Sequence, residues 1–280
     1  MTVAFGQRLA GVLQTSGRLC VGIDPHSYLL GEWELPDTAA GVRDFGLRVV
    51  EAAHSRAGIV KPQVAFYERH GSAGYAALED VLEAARAAGL LVIADVKRGD
   101  VGTSVEAYGQ AWLTPGGPLE ADAMTISAFQ GTGSIAAPRD LALAGGKGLF
   151  VLAATSNPEA AAVQTARLSS GSGKSVAASI VDDVQDWNRG AEPLGSFGVV
   201  IGATVDMSAY GIEAPALAAT PVLAPGFGHQ GARLGDVTTL FGAASAGVIV
   251  SSSRAVLGAG PKGIAAAIVA QNTEIAEAFA

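Results

Sequence analysis

Residues 90–100 read LLVIADVKRGD, an apolar run that ends in a charged turn. The unbroken apolar stretch fits a strand buried on both faces of a parallel sheet. Side chains alternate along a strand, so Asp95 and Lys97 project to the same side. Burying either charge alone is costly, so each needs a partner or a polar ligand. Asp100 follows in a glycine-flanked turn and completes the spacing D-x-K-x-x-D. Parallel α/β folds gather their active sites at this C-terminal strand edge.

Seven further runs of the same kind lie on either side: LCVGID (19–24), GIVKPQ (58–63), ADAMTIS (121–127), GLFVLAAT (148–155), FGVVIGAT (197–204), PVLAPG (221–226) and GVIVSSS (247–253). Helical patterns separate them, with apolar residues three and four apart. The clearest are TAAGVRDFGLRVVEAAHSR and GYAALEDVLEAARAAG, followed by SVAASIVDDVQDWNRG and KGIAAAIVAQNTEIAEAF. Eight alternating strand–helix units match a (β/α)8 barrel in number and size, with a doubly wound open sheet as the structural competitor. No linker or break in composition divides the chain, so residues 1–280 are expected to form one catalytic domain. The Ser/Gly-rich stretch RLSSGSGKS (167–175) follows the fifth run and is a candidate lid.

Composition narrows the function. A net charge of −8 leaves no basic footprint for nucleic acid. An anionic substrate therefore needs a local basic pocket. The single cysteine, Cys20, sits in an apolar run and reads as a buried thiol. No run of ~18 apolar residues predicts a membrane span. The N-terminus, MTVAFGQRLAGVLQTSG, reads as a short amphipathic helix rather than a signal peptide, and a cytoplasmic protein is expected.

Polar residues cluster where the runs end: Asp24, Lys61, Asp95, Lys97, Ser127, Thr155, Thr204, Gly226 and Arg254. In a barrel these converge on one mouth. Asp24, Lys61, Asp95, Lys97 and Asp100 read either as a structural ion-pair network or as alternating charges that keep one another ionised. A nearly dry lysine held charged by aspartates suits stabilisation and protonation of a carbanion.

APGFGHQGA (224–232) holds a formal G-x-G-x-x-G at Gly226, Gly228 and Gly231. It follows the seventh run, and no acidic residue ends a strand about 20 residues on, so a dinucleotide fingerprint is disfavoured. The competing readings are a plain glycine turn or a phosphate-gripping loop in which glycine N–H groups and Gln230 meet phosphate oxygens, with Arg254 beyond the eighth run as the forked cation. GSGKS (171–175) fails the Walker A spacing because Leu168 stands where its first glycine is required. His26, His54, His70 and His229 show no zinc-site spacing. Trp33, Trp112 and Trp187 read as packing residues.

Taken in order, ADVKRGDVGTS, LCVGIDPH, VKPQVAFYE, DAMTISAFQGTGS, LAATSNP, APGFGHQG and VSSSRAVL resemble the orotidine 5′-phosphate decarboxylase family over about 20–255. KPQ-A-FYE and TSNP are similar to its bacterial type 2 subgroup, which includes mycobacterial members. The resemblance implies a cofactor-free, metal-free (β/α)8 homodimer that converts orotidine monophosphate to uridine monophosphate and carbon dioxide. It implies catalytic roles for Lys97, Asp95, Lys61 and Asp100, with Asp100 reaching into the partner's site. Asp24 and Lys61 correspond to ribose contacts, and Ser104 to a contact with the partner's ribose. Ser127 corresponds to the pyrimidine contact, while Gln230 and Arg254, with Gly228 in the same loop, hold the phosphate. This chain has SAFQG where shorter members carry an S-x-P-G-like turn. A metal-dependent sugar-phosphate lyase on the same barrel, such as 3-keto-L-gulonate 6-phosphate decarboxylase, is the nearest alternative. A nicotinamide oxidoreductase and a non-catalytic phosphate-binding barrel stand further off.

Overall fold

The computed structural model describes residues 2–169, 173–228 and 231–280. Each of the eight apolar runs forms a strand: β1 (Leu19–Ile23), β2 (Ile59–Pro62), β3 (Leu91–Arg98), β4 (Ala123–Ile126), β5 (Gly148–Ala154), β6 (Phe197–Ile201), β7 (Val222–Pro225) and β8 (Val248–Ser252). They pair in chain order, all parallel, and β8 closes on β1 through Leu19↔Val250 and Cys20↔Ser251. The barrel is therefore closed, and the open-sheet alternative does not apply.

Strand alternation sorts the side chains into two apolar layers. Val92, Ala94 and Val96 of β3 face outward into the core beneath the helices, while Leu91 and Ile93 face inward with Cys20, Ile59, Ala123, Phe150, Leu223 and Ile249. The inward core is closed from below by the N-terminal helix Phe5–Thr15, which contributes Phe5, Leu9 and Leu13. The Phe5 ring meets Phe150 edge-on at 6.0 Å.

A charged cluster ties this plug to the barrel floor. Arg8 pairs with Asp122 at 2.5 Å, and the buried Lys147 pairs with Glu120 at 2.5 Å. Asp122 also accepts the Val92 backbone N–H at 2.9 Å.

The long predicted helices form as Ala39–Ala53, Gly71–Ala87, Val176–Trp187 and Gly260–Ala278. Thr38 and Ser175 cap two of them by accepting the N–H of Gly41 and Ala178. The strand–helix alternation is least regular late in the chain. The β6–β7 crossover holds only the 3-10 turn Ala214–Leu217, where Pro215 and Pro221 interrupt a short segment. Trp33 and Trp112 are buried in the outer core and Trp187 packs against it.

Candidate active site

The inward series continues beyond the apolar layer into polar residues at the barrel mouth. On β3 the sequence Leu91, Ile93, Asp95, Lys97 passes from core to cavity. On β2 Ile59 gives way to Lys61, with Gln63 just past the strand's end, and on β4 Ala123 gives way to Thr125. Strand register thus brings four neighbouring side chains around one carboxylate.

Asp95 is 8% exposed and Lys61 is 7% exposed. Lys61 Nζ donates to Asp95 Oδ2 at 2.7 Å, and Lys97 Nζ donates to Oδ1 at 2.5 Å. Thr125 Oγ1 donates to Oδ1 at 2.9 Å. The Gln63 amide, oriented to satisfy all its neighbours, donates to Asp95 Oδ2 at 3.0 Å and to its carbonyl at 2.8 Å, and accepts from Lys97 Nζ at 3.3 Å. Burial pushes the Asp95 carboxyl up, but Lys61 and Lys97 outweigh it and hold the group well below the usual carboxylate range. Burial likewise pulls Lys61 down, and Asp95 and Asp24 outweigh it and hold the ammonium above its ordinary value. Lys61 is sealed under the carboxylate, whereas the Lys97 side chain is 45% exposed and faces the cavity. Cys20 lies beneath this cluster with its thiol pushed up to about 12, mainly by burial, so it is no nucleophile.

The cavity above encloses about 360 Å³ and adds Asp24, His26, Ser253 and Arg254 to the cluster, with Leu152, Val200 and Leu223 as apolar wall. Asp24 Oδ1 and Ser253 Oγ are shielded from solvent, yet neither makes a hydrogen bond among the described residues. Such groups cost about 1–3 kcal/mol each unless a polar ligand satisfies them. Arg254 opens the short helix Arg254–Leu257 and forms no salt bridge among the described residues. A second cavity of about 690 Å³ shares Lys97, Leu152, Val200 and Pro225 with the first and continues past Ser127, Ala128, Phe129 and Ile180. The cleft is thus polar and cationic at one end and largely apolar at the other. Among the described residues, no group of three or more His, Cys, Asp or Glu side chains is placed to hold a metal ion.

The other expected site residues fall in different places. Gly228 was expected to offer its N–H to a phosphate. That N–H instead donates to Ala232 O at 2.8 Å, and Gly231 N–H donates to Gly228 O at 3.0 Å. The hydrogen bonds brace the loop, and what Gly228 supplies is a left-handed turn at φ +71°. Gln230 and His229 lie outside the described residues, as do residues 170–172 of the expected lid. The flanks of that lid pair through Arg167 and Ser175. Ser127 borders the second cavity rather than the first. Asp100 and Ser104 belong to neither cavity of this chain. Asp100 Oδ1 accepts the Val101 N–H at 2.9 Å, and Ser104 is exposed in the first turn of the helix Gly102–Leu113.

A profile of the orotidine 5'-phosphate decarboxylase / HUMPS family matches residues 17–268. The chain belongs to that family. It is 48% identical over 258 residues to the orotidine 5'-phosphate decarboxylase of Salinispora arenicola, covering 92% of this chain and 91% of the relative. It is 49% identical over 260 residues to that of Streptomyces coelicolor, covering 92% and 91%. A Streptomyces avermitilis crystal structure, described provisionally as an orotidine 5'-phosphate decarboxylase, superposes with TM-score 0.94 at 45% identity, covering 99% of this chain and 96% of that one. Leishmania donovani OMP decarboxylase superposes with TM-score 0.75 at 27% identity, covering 99% and 100%. Family members thus share this barrel.

Sequence reasoning passed over Gln63, Thr125 and His26 as site residues. All three line the first cavity. Gln63 and Thr125 sit two residues beyond an inward-facing position on their strands, which was a usable signal.

Proposed function

We propose that this protein is an orotidine 5'-phosphate decarboxylase, converting orotidine monophosphate to uridine monophosphate and carbon dioxide in pyrimidine nucleotide synthesis. The carrying observation is Asp95 gripped by two ammonium groups at the cavity wall, with Lys97 by far the more exposed of the pair. The reading makes residues 1–280 one cytoplasmic catalytic domain that needs no cofactor.

The two-ended cleft suits a nucleotide. Its phosphate belongs with Arg254 and Gln230, its ribose with Asp24 and Lys61, and its base toward Ser127 and the apolar wall. In the chemical step the bond from C6 to the carboxylate breaks. Carbon dioxide leaves, and the electron pair stays on C6. Two unit charges ~4 Å apart interact by about 4 kcal/mol at an effective dielectric near 20. The Lys97 ammonium therefore stabilises the growing charge, then transfers its proton to C6 and is reprotonated from solvent. Asp95 orients the Lys97 ammonium by accepting its hydrogen bond until that moment. Phosphate binding, remote from C6, supplies energy for closure over the reacting ring.

The reading includes a homodimer in which Asp100 and Ser104 complete the partner's site. Supporting it, both residues lie outside their own chain's cavities, on a segment that also exposes the large apolar side chains Val101 and Tyr108.

The test is ultraviolet absorbance during incubation with orotidine monophosphate. Loss of the orotate band with release of carbon dioxide is expected, undiminished in chelator. An unchanged spectrum overturns the reading. Activity that vanishes in chelator and returns with magnesium favours the metal-dependent sugar-phosphate lyase branch. That alternative is opposed by a donor set in which both Asp95 oxygens already serve ammonium groups.

A further inference from the structure

The backbone at Lys97 is left-handed, with φ +47°. A side chain other than glycine's rarely adopts that region, and holding one there costs on the order of 1 kcal/mol or more. The β3–β4 register shifts over the same segment, between Ala94 and Arg98. The Lys97 N–H finds its partner in a side chain, Thr125 Oγ1, at 3.0 Å. Thr125 is 1% exposed. Its oxygen accepts that N–H, so its single hydroxyl proton goes to the other neighbour, Asp95 Oδ1, at 2.9 Å. Asp95 Oδ1 is also the oxygen that receives Lys97 Nζ. One buried hydroxyl therefore closes a ring that contains the Lys97 backbone, the Asp95 carboxylate and the Lys97 ammonium.

We propose that Thr125 is a positioning residue. It holds Lys97 in its left-handed conformation and fixes the carboxylate plane against which the Lys97 ammonium is aimed. This rests on the decarboxylase reading and adds to it a residue that need not touch substrate. Lys61 and Gln63 grip the far side of Asp95 and leave the Lys97 backbone untouched. Among the described residues, no other side chain in the site hydrogen-bonds both the lysine's main chain and its counter-ion.

The experiment compares wild type with Thr125→Val, which keeps the shape and removes the hydroxyl, and with Thr125→Ser, which keeps the hydroxyl. Thr125→Ala repeats the Val test with less bulk. For each we would measure kcat and KM with orotidine monophosphate, affinity for uridine monophosphate by titration, and Tm. In Thr125→Val, kcat is expected to fall roughly 10–100-fold while KM and product affinity stay within about twofold. Thr125→Ser is expected to return kcat to within about threefold of wild type. The proposal is overturned if Val keeps kcat within twofold, if kcat and KM fall together, or if Ser is no better than Val. It is equally overturned if Val and Ala both fail to fold while Ser is stable, since the hydroxyl is then a folding determinant. A wild type inert toward orotidine monophosphate sinks the decarboxylase reading itself. An active wild type with an equally active Val variant sinks only the role of Thr125.

Discussion

Lys97 and Lys61 bond to opposite oxygens of one carboxylate, yet their environments assign them different work. Lys61 is sealed and its ammonium is held above its ordinary value, so it is a fixed charge beneath Asp95. Lys97 has solvent on one side and the cavity before it, so it can surrender a proton and regain it. Lys97→Ala is expected to keep binding uridine monophosphate while kcat drops by about 10³-fold or more, because it removes both the stabilising charge and the proton donor. Isothermal titration and a single-turnover absorbance assay separate the two effects; turnover near wild type would remove Lys97 from the step.

The same inward alternation that stacks Leu91 and Ile93 in the core delivers Asp95 to the cavity, so each strand is both packing and scaffold. Its two ends can be tested separately. At the floor, Phe5 is fully buried in the inward core. Phe5→Ala is expected to lower unfolding stability by about 3–5 kcal/mol in urea titrations while leaving KM unchanged. At the mouth, a Cβ on Gly99 would lie 2.5 Å from the Ser127 carbonyl oxygen. Gly99→Ala must part the ends of β3 and β4, and a fall in kcat of about tenfold or more is expected with a circular dichroism spectrum that stays native. An unaffected kcat would mean that this junction does not position Lys97.

For the molecule as a whole, charge sets the pH window of stability. Asp95 is depressed despite burial because Lys61 and Lys97 outweigh it, and Glu120 is depressed because the Lys147 and Gly116 N–H hydrogen bonds, together with the Lys147 and Arg86 charges, outweigh its burial. A carboxyl whose folded value lies below its unfolded one adds stability that is present above the unfolded value, about 3.9–4.3, and is lost as pH falls further. Lys61 has the opposite sign: its contribution is complete below the unfolded value of about 10.4 and fades only as pH rises beyond it. Tm is therefore expected to be level with respect to these groups from about pH 5 to 9 and to drop below about pH 4. Glu120→Gln should shallow that acid drop in calorimetry, and an unchanged drop would assign it elsewhere. Assembly is tested at the same scale. If Asp100 serves the partner's site, mixing inactive Asp100→Ala and Lys97→Ala chains under exchange gives hybrid dimers with one intact site. About a quarter of wild-type activity then returns. No recovery between chains that demonstrably exchange would place Asp100 outside the partner's site.

Eight short apolar runs, their spacing and the D-x-K alternation carried the barrel and the polar mouth, because burial on both faces and period-two geometry are written locally along each strand. Asp95 and Lys97 were legible for that reason, as was the basic pocket formed with Lys61 and Arg254. Gln63 and Thr125 became partners of Asp95 only through strand register and barrel closure, which set hydrogen bonds between residues some thirty positions apart. The left-handed turn at Lys97, the commitment of the Gly228 N–H to Ala232 and the seating of Phe5 under Phe150 were decided in the same way. Each depends on where a distant segment comes to rest, which no periodicity within a single strand encodes.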